Sequence, residues 1–159
     1  MDLTEWCSEV MATGDIVQDD DNSVPSEEAE HRFNRYVELV DEVTGDEPDQ
    51  VFRCLIASVR EQDDYGARQT VLGALSRFQA HRQGSLFAAS MTDTIERVPS
   101  FAGELLCGIA NRGGRVLDAF NSAARELDSH EQGVIAKFVA QEEVDGWLDG
   151  PRRGAIRIG

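Results

Sequence analysis

Residues 49–62 read DQVFRCLIASVREQ, and the spacing of the apolar side chains in this stretch decides the fold class. The apolar positions fall at i, i+1, i+4, i+5 and i+8, which places them on one face of an α-helix. They are Val51, Phe52, Leu55, Ile56 and Val59. A strand would alternate with a period of two residues, and this stretch does not. The sequence therefore predicts an amphipathic helix with one buried face.

The helical period continues on both sides of this stretch, and no segment shows a sustained strand pattern. Upstream, we expect a short helix over about Leu3–Ala12, ended by a left-handed Gly14, and a second helix after Pro25. The inward stripe of the second helix is Ala29, Phe33, Tyr36, Val37, Val40 and Val43. Downstream helices are expected from Asp63 or Asp64 to about Phe78, from Ser85 to Pro99, over Phe101–Asn111, through Val116, Leu117 and Phe120, and from a capping box at Ser129–Gln132 to Gly146. The predicted fold is all-α, with about eight helices.

From residue 49 onward the helices can be grouped as antiparallel pairs over residues 49–78, 85–111 and 115–145. Pairs of this length are typical of an α-solenoid. Sequence identity between the pairs is poor, so an irregular helical bundle with the same short connections fits as well.

The length of the chain fits one domain, which we place at residues 1–150. Residues 151–159 form a short basic tail that we expect to fray; the alternative is a segment that folds back onto the acidic first third. Trp147 lies beyond the last helix, and we expect it to cover the last helix pair; the alternative is an anchor for a partner.

Acidic residues are concentrated in the first third of the chain. Residues 1–50 contain sixteen Asp or Glu residues and two arginines, so their net charge is −14. Residues 51–159 have a net charge of only −1, and the total is −15. A local field of one sign attracts partners of the opposite sign and speeds their encounter. The charge therefore points to a basic binding partner and disfavours direct binding of nucleic acid.

Three cysteines and the hydropathy pattern bear on location. Cys7, Cys54 and Cys107 are odd in number, far apart and placed in apolar-periodic segments, so we expect reduced core thiols and no disulfide. The N-terminus lacks a basic and an apolar leader region, and the apolar runs are too short to span a membrane. These features predict a cytoplasmic protein without a membrane partner.

Residue clusters that could carry chemistry are incomplete. Oxygen donors in residues 19–30 follow the spacing of a calcium loop. The sixth position of such a loop needs glycine for a sharp turn, but here it is Val24, followed by Pro25. Glu28 and His31 share a helical face, as in di-iron bundles, yet no second Glu-x-x-His exists. The sequence also lacks a nucleophile elbow and a phosphate loop. We therefore expect no enzyme activity, no metal and no cofactor.

Three stretches carry a resemblance to a known group of proteins. They are DDYGARQTVLGALSRF at residues 63–78, FAGELL at 101–106 and IANRGG at 109–114. Over about residues 50–145 the chain resembles small helical, HEAT-like immunity proteins of bacterial polymorphic-toxin systems. The resemblance implies a protein that binds a cognate secreted toxin stoichiometrically in the producing cell and that has no catalytic residues.

The acidic third and the resemblance lead to one hypothesis. Toxins that attack nucleic acid, such as nucleases, need a basic cleft, and a carboxylate surface can block it, with apolar anchors completing the affinity. The carboxylates that would supply this surface are Asp19, Asp20, Asp21, Glu27, Glu28, Glu38, Asp41, Glu42, Asp46 and Glu47. A solvated face that only keeps the protein soluble is the simpler interpretation of the same charges. A helical adaptor that binds an endogenous protein is the alternative function.

Overall fold

The described part of the chain is helical. The computed structural model describes residues 2–18, 20–62 and 65–159, and these ranges contain eight α-helices, one short 3-10 helix and no strand. The elements are α1 (Leu3–Thr13), α2 (Ser26–Asp41), α3 (Asp49–Ser58), α4 (Tyr65–Leu75), α5 (Ala80–Arg97), α6 (Pro99–Arg112), α7 (Gly114–Arg125), α8 (Ser129–Asp145) and the 3-10 helix Gly150–Arg152. The predicted all-α class with about eight helices is confirmed. The cap predicted at Asp63 or Asp64 lies outside the described residues.

The helices divide into two compact units, residues 1–78 with α1–α4 and residues 79–159 with α5–α8. In the first unit α1 packs on α3, α2 packs on α4, and α1 also contacts α2. In the second unit α5 is central, because α6, α7 and α8 all pack on it. The helices of the predicted pair over residues 115–145, α7 and α8, therefore pack mainly on α5 and not on each other. The single domain at residues 1–150 stays a prediction, as does the choice between solenoid and bundle.

Large apolar side chains from α1, α2, α3 and α4 form the core of the first unit. Trp6 is buried, and its indole nitrogen donates a hydrogen bond to the carbonyl oxygen of Leu39 at 3.3 Å. The rings of Phe52 and Phe78 meet edge to face, with centroids 5.2 Å apart. Burying a side chain of this size stabilises a fold by about 1.5–3 kcal/mol. The Trp6–Leu39 hydrogen bond holds α2 on α1, and with it the acidic residues on the outer face of α2.

A disulfide between Cys7 and Cys54 joins α1 to α3, and the two Cα atoms are 5.7 Å apart. The prediction of reduced thiols is wrong for this pair. The two cysteines are 47 residues apart in sequence, and only the packing of α1 on α3 brings them to the usual distance of a cross-link. Cys107 is a half-buried free thiol.

α1 ends at Gly14 as predicted, whereas α3 ends earlier than predicted. Gly14 follows α1 with a right-handed φ of −67°, not a left-handed one. A Cβ at this position would lie 2.8 Å from the carbonyl oxygen of Ser58, so the glycine allows close approach of the chain instead of reversing it. α3 ends at Ser58, before the predicted end at Gln62, because Val59 adopts extended backbone.

In the second unit, α5 begins at Ala80 and not at Ser85. Residues 79–84 were predicted to connect two helices, but they are part of α5 from Ala80 onward, and Gly84 lies where α5 crosses α7. A Cβ at Gly84 would lie 2.4 Å from the carbonyl oxygen of Val116 in α7. Glycine therefore permits the close crossing of α5 and α7.

The start of α8 is shifted by one residue from the predicted capping box at Ser129–Gln132. Asp128 is the N-cap, and its carboxylate accepts a hydrogen bond from the backbone nitrogen of Glu131 at 2.9 Å. The Glu131 carboxylate in turn accepts from the backbone nitrogen of Asp128. The predicted end of the helix is confirmed, because Gly146 is left-handed with a φ of 88°.

The C-terminal tail is packed, so the expectation that it frays is wrong. Ile156 is buried. The side-chain amide of Asn121 donates to the carbonyl oxygen of Ala155 and accepts from the backbone nitrogen of Arg157, both at 2.9 Å. One buried side chain and one bidentate amide therefore hold the tail on α7.

Candidate partner-binding surface

The acidic residues begin in the loop between α1 and α2. The Asp21 carboxylate accepts a hydrogen bond from the backbone nitrogen of Ser23 at 2.8 Å. Hydrogen bonds from Ser23 also lower the pKa of Asp21, so the carboxylate stays charged at neutral pH. Asp20 and Asp21 are both exposed, and Asp19 lies outside the described residues.

The loop leads into the first turn of α2, which contains Glu27 and Glu28. The partial positive charge at a helix N-terminus stabilises carboxylates at these positions. The N-cap residue is Pro25, whose side chain makes no capping hydrogen bond. Both glutamates are exposed, so they extend the acidic surface from the loop onto the helix.

Further along α2, exposed carboxylates follow the helical repeat. Glu27, Glu38 and Asp41 lie on one outer face, together with exposed His31 and Asn34. At 1.5 Å per residue, Glu27 and Asp41 are about 21 Å apart along the helix axis. The predicted site residues on α2 therefore form an elongated strip rather than a compact cluster.

Arginines neutralise part of this strip. Arg35 donates to Glu9 of α1 at 2.7 Å and pairs with Glu38 at 3.3 Å. Arg32 pairs with Glu28 at 3.2 Å. Hydrogen bonding to Arg35 lowers the pKa of Glu9. Ion pairs at this exposure are weak, so a partner with more basic groups can compete for the same carboxylates.

The loop after α2 contains the last predicted site residues, and one of them has an internal role. The Glu47 carboxylate accepts hydrogen bonds at 2.8 Å from the backbone nitrogens of Thr44 and Gly45 and from the Thr44 hydroxyl. Burial raises its pKa, but these hydrogen bonds outweigh the burial and hold the pKa below its usual value. Glu47 is half-buried and shapes the loop, whereas Glu42 and Asp46 are exposed.

The same loop is held against the end of α4. A guanidinium nitrogen of Arg77 donates to the carbonyl oxygen of Asp41 at 2.9 Å. Gly45 has a φ of 99°, and a Cβ there would lie 2.3 Å from the carbonyl oxygen of Arg77. Asp41, the last residue of α2, is therefore fixed by tertiary contacts.

Of the ten predicted residues, eight are exposed on α2 or in the loops before and after it. Glu47 accepts hydrogen bonds within its own loop, and Asp19 lies outside the described residues. We call the eight exposed carboxylates the acidic strip: they are Asp20, Asp21, Glu27, Glu28, Glu38, Asp41, Glu42 and Asp46. Among the described residues, five members of the acidic strip have no ion-pair partner: Asp20, Asp21, Glu27, Glu42 and Asp46.

An apolar groove lies beside the N-terminal end of the acidic strip, and the sequence did not predict it. Its volume is about 360 Å³. The apolar part of its lining is formed by the half-buried side chains of Ile16, Val17, Val24, Ala29 and Phe33, and the polar part by Gln18, Asp21, Asn22, Ser26 and Glu30. Ala29 and Phe33 were predicted to face the core, but both side chains are only half-buried. The pair Ile16-Val17 inside an acidic, polar segment is the signal in the sequence that would have found the groove.

The candidate metal and catalytic groups do not converge in the described structure. No three His, Cys, Asp or Glu side chains in residues 2–18, 20–62 and 65–159 lie close enough to hold a metal ion. Glu28 and His31 line a shallow, open depression on the outside of α2. The C-terminal half of the calcium-like segment, from Ser26 onward, is part of α2.

Trp147 in the second unit is 54% exposed, so the expectation that it covers a helix pair is wrong. The next residue, Leu148, takes the buried position instead. Val144, one turn earlier on α8, is 79% exposed. The exposure of Trp147 fits the alternative that the sequence left open, an anchor for a partner.

Comparison of the chain with known protein families, with curated proteins and with solved structures finds no match. None of the helices in the described ranges combines the length and the apolar character that crossing a membrane requires.

Proposed function

We propose that this protein is a non-catalytic inhibitor, an immunity protein that binds a basic domain of a cognate secreted toxin. The observation that carries the proposal is the acidic strip. Residues 15–30 contain seven Asp or Glu residues and no Lys or Arg, and the strip continues along the exposed face of α2. A basic cleft built to bind phosphate is the complementary surface.

The elongated shape of the strip supports occlusion of a cleft. Carboxylates along about 21 Å of helix can contact basic groups on both sides of a groove that is made for a nucleic-acid backbone. The charges would mainly raise the association rate and the specificity, and apolar contacts would supply most of the affinity. Binding should therefore weaken strongly as salt is added.

Capture of the partner tests the proposal. Tagged protein is used to pull down partners from a lysate of its own organism at low and high salt, and the captured proteins are identified by mass spectrometry. We expect the basic C-terminal domain of a large secreted protein, whose toxic activity the purified protein then inhibits. Single charge removals should weaken binding by less than about fivefold, because each exposed carboxylate contributes little.

A matched pair of triple variants separates the strip from net charge. The first variant reverses Asp20, Glu27 and Glu42 to lysine, and the second reverses Glu96, Asp118 and Glu126 in the other unit. All six carboxylates are exposed. We expect capture to be lost in the first variant and retained in the second. Equal loss in both would show that only total charge matters, and would contradict a site on α2.

A helical adaptor for an endogenous protein is the second candidate function, and the exposed pair Val144 and Trp147 favours it. An adaptor of this kind would bind through the second unit. Salt-insensitive capture of housekeeping proteins that is abolished by Trp147→Ala, and not by reversal of the strip, would support the adaptor over the inhibitor.

We place the inhibitor in the cytoplasm of the producing cell, where a toxin against nucleic acid has its target. The Cys7–Cys54 disulfide makes this location testable, because disulfides are rare in the reducing cytosol. Thiols are trapped by rapid alkylation in intact cells and counted by mass. Three alkylated cysteines support the cytoplasm, and one supports an oxidising compartment.

A further inference from the structure

The apolar groove beside the acidic strip is a docking feature that charge alone does not explain. Ile16 and Val17 from the loop and Ala29 and Phe33 from α2 line a groove with a volume of about 360 Å³. All four side chains are half-buried. Pockets that hold ligands in proteins begin at about this size. An isolated apolar side chain on a surface is ordinary, but five around one groove indicate a binding site.

The rim of the groove is acidic. Asp21 and Glu30 line the groove directly, and Asp20 and Glu27 adjoin them. No Lys or Arg occurs between residues 15 and 30, and Arg32 is engaged with Glu28 and the Asp15 carbonyl oxygen. A segment that enters the groove therefore meets five apolar side chains, the polar side chains of Gln18, Asn22 and Ser26, and carboxylates at the rim.

These two properties select the occupant. A second copy of this chain would bring another acidic surface toward the rim, since the net charge is −15. A purely apolar segment would leave the rim carboxylates without partners. A segment with apolar side chains on one face and lysine or arginine on the flanks satisfies both the walls and the rim.

We infer that the groove binds a basic, amphipathic segment of the partner protein, whose apolar side chains insert between Ile16 and Phe33 and whose basic side chains pair with the rim. The inference rests on the proposed function, since it names the part of a basic partner that this chain recognises. The groove supplies the apolar anchor, and the acidic strip supplies the steering charge.

A synthetic helical peptide of leucine and lysine with one apolar stripe is the probe. It is titrated into isotopically labelled full-length protein and followed by NMR and calorimetry. Two control peptides are used: one scrambled to remove the stripe, and one with glutamate in place of lysine. We expect amide shift changes at Ile16, Val17, Val24, Ala29 and Phe33, and binding by the scrambled peptide that is weaker by about tenfold.

Ala29→Trp fills the groove without changing charge. Ala136→Trp is its control, because Ala136 is an exposed alanine on α8 in the other unit. We expect the first variant to weaken binding by about tenfold and the second by less than about twofold. The NMR mapping on the wild-type protein keeps the inference testable if Ala29→Trp fails to fold.

Three results would overturn the inference. Shift changes spread evenly along α2 with no effect of Ala29→Trp would show binding by charge alone. Equal binding of the glutamate peptide would exclude a basic occupant. A dimer in sedimentation that Ala29→Trp abolishes would identify a second copy as the occupant.

The partner capture separates this inference from the proposed function. If a basic toxin domain is captured equally well by wild-type protein and by Ala29→Trp, the groove inference is wrong and the proposed function stands. If the peptide maps to the groove but no toxin domain is captured, the groove inference stands and the proposed function fails.

Discussion

Removing the Cys7–Cys54 disulfide should lower the stability of the first unit substantially while leaving its fold intact. The disulfide closes a loop between residues 47 apart in sequence. A cross-link over a loop of this length reduces the entropy of the unfolded chain and is worth about 4 kcal/mol at 25 °C. Without it, α1 is still held by Trp6 and Val10, which are both buried. The reduced unit should therefore fold but unfold at lower denaturant concentration.

Urea unfolding followed by tryptophan fluorescence measures this loss. Trp6 is buried in the first unit and Trp147 is exposed in the second, so a Trp147→Phe background leaves Trp6 as the only reporter. For a slope of about 2 kcal/mol per M urea, a loss of about 4 kcal/mol lowers the midpoint by about 2 M. Oxidised protein is compared with protein in reductant and with Cys54→Ala.

Cys107→Ala is the control, because Cys107 is a free thiol in the second unit. We expect it to leave the Trp6 transition of oxidised protein unchanged. Three free thiols in denatured, unreduced protein would refute the cross-link itself. A confirmed cross-link with the same midpoint in oxidised and reduced protein would refute the entropy argument.

Three further predictions concern single positions. Gly45→Ala should destabilise the first unit by more than about 2 kcal/mol in urea unfolding, because φ is 99° and a Cβ would clash with backbone atoms. The control is Gly73→Ala in α4, where a Cβ has no neighbour within 4 Å; it should stabilise the unit by about 0.5–1 kcal/mol. Equal effects of the two substitutions would refute the reasoning. The folded-state pKa of Glu47 lies below its usual 4.5, so the stability that this carboxylate contributes is present above pH 4.5 and is lost as pH falls through the folded-state pKa. Glu47→Gln should reduce stability at neutral pH by about 1 kcal/mol and flatten the acid limb of the plot of stability against pH. An unchanged acid limb would contradict this role. In thermal unfolding, Trp147→Ala should change stability by less than about 1 kcal/mol, because the side chain is exposed. Leu148 is only 1% exposed, so Leu148→Ala should reduce stability by about 3 kcal/mol. The reverse order would show that Trp147 is a core residue.

Helix identity was accessible from the sequence because it depends on local spacing. The apolar repeat in residues 49–62 identified α3, and Gly146 marked the end of α8. Boundaries that depend on contacts between helices were not accessible. Gly84 was interpreted as part of a connection because the sequence does not show that Val116 passes close to it.

The candidate site followed the same division. The sequence located the acidic residues, and the helical repeat after Pro25 places Glu27, Glu38 and Asp41 on one face of α2. It did not show that Glu47 turns into its own loop, because that orientation depends on the hydrogen bonds the loop makes once folded.

The sequence by itself determined the helical class, the positions of most helices and the concentration of negative charge, because each of these is set by residues close together in the chain. Only the tertiary structure decided the Cys7–Cys54 cross-link, the packing of the tail, the exposure of Trp147 and the groove at Phe33. These features depend on which surfaces of distant helices meet. Hydrophobic burial has no direction of its own, so the pattern of apolar residues indicates that a face is buried but not what covers it.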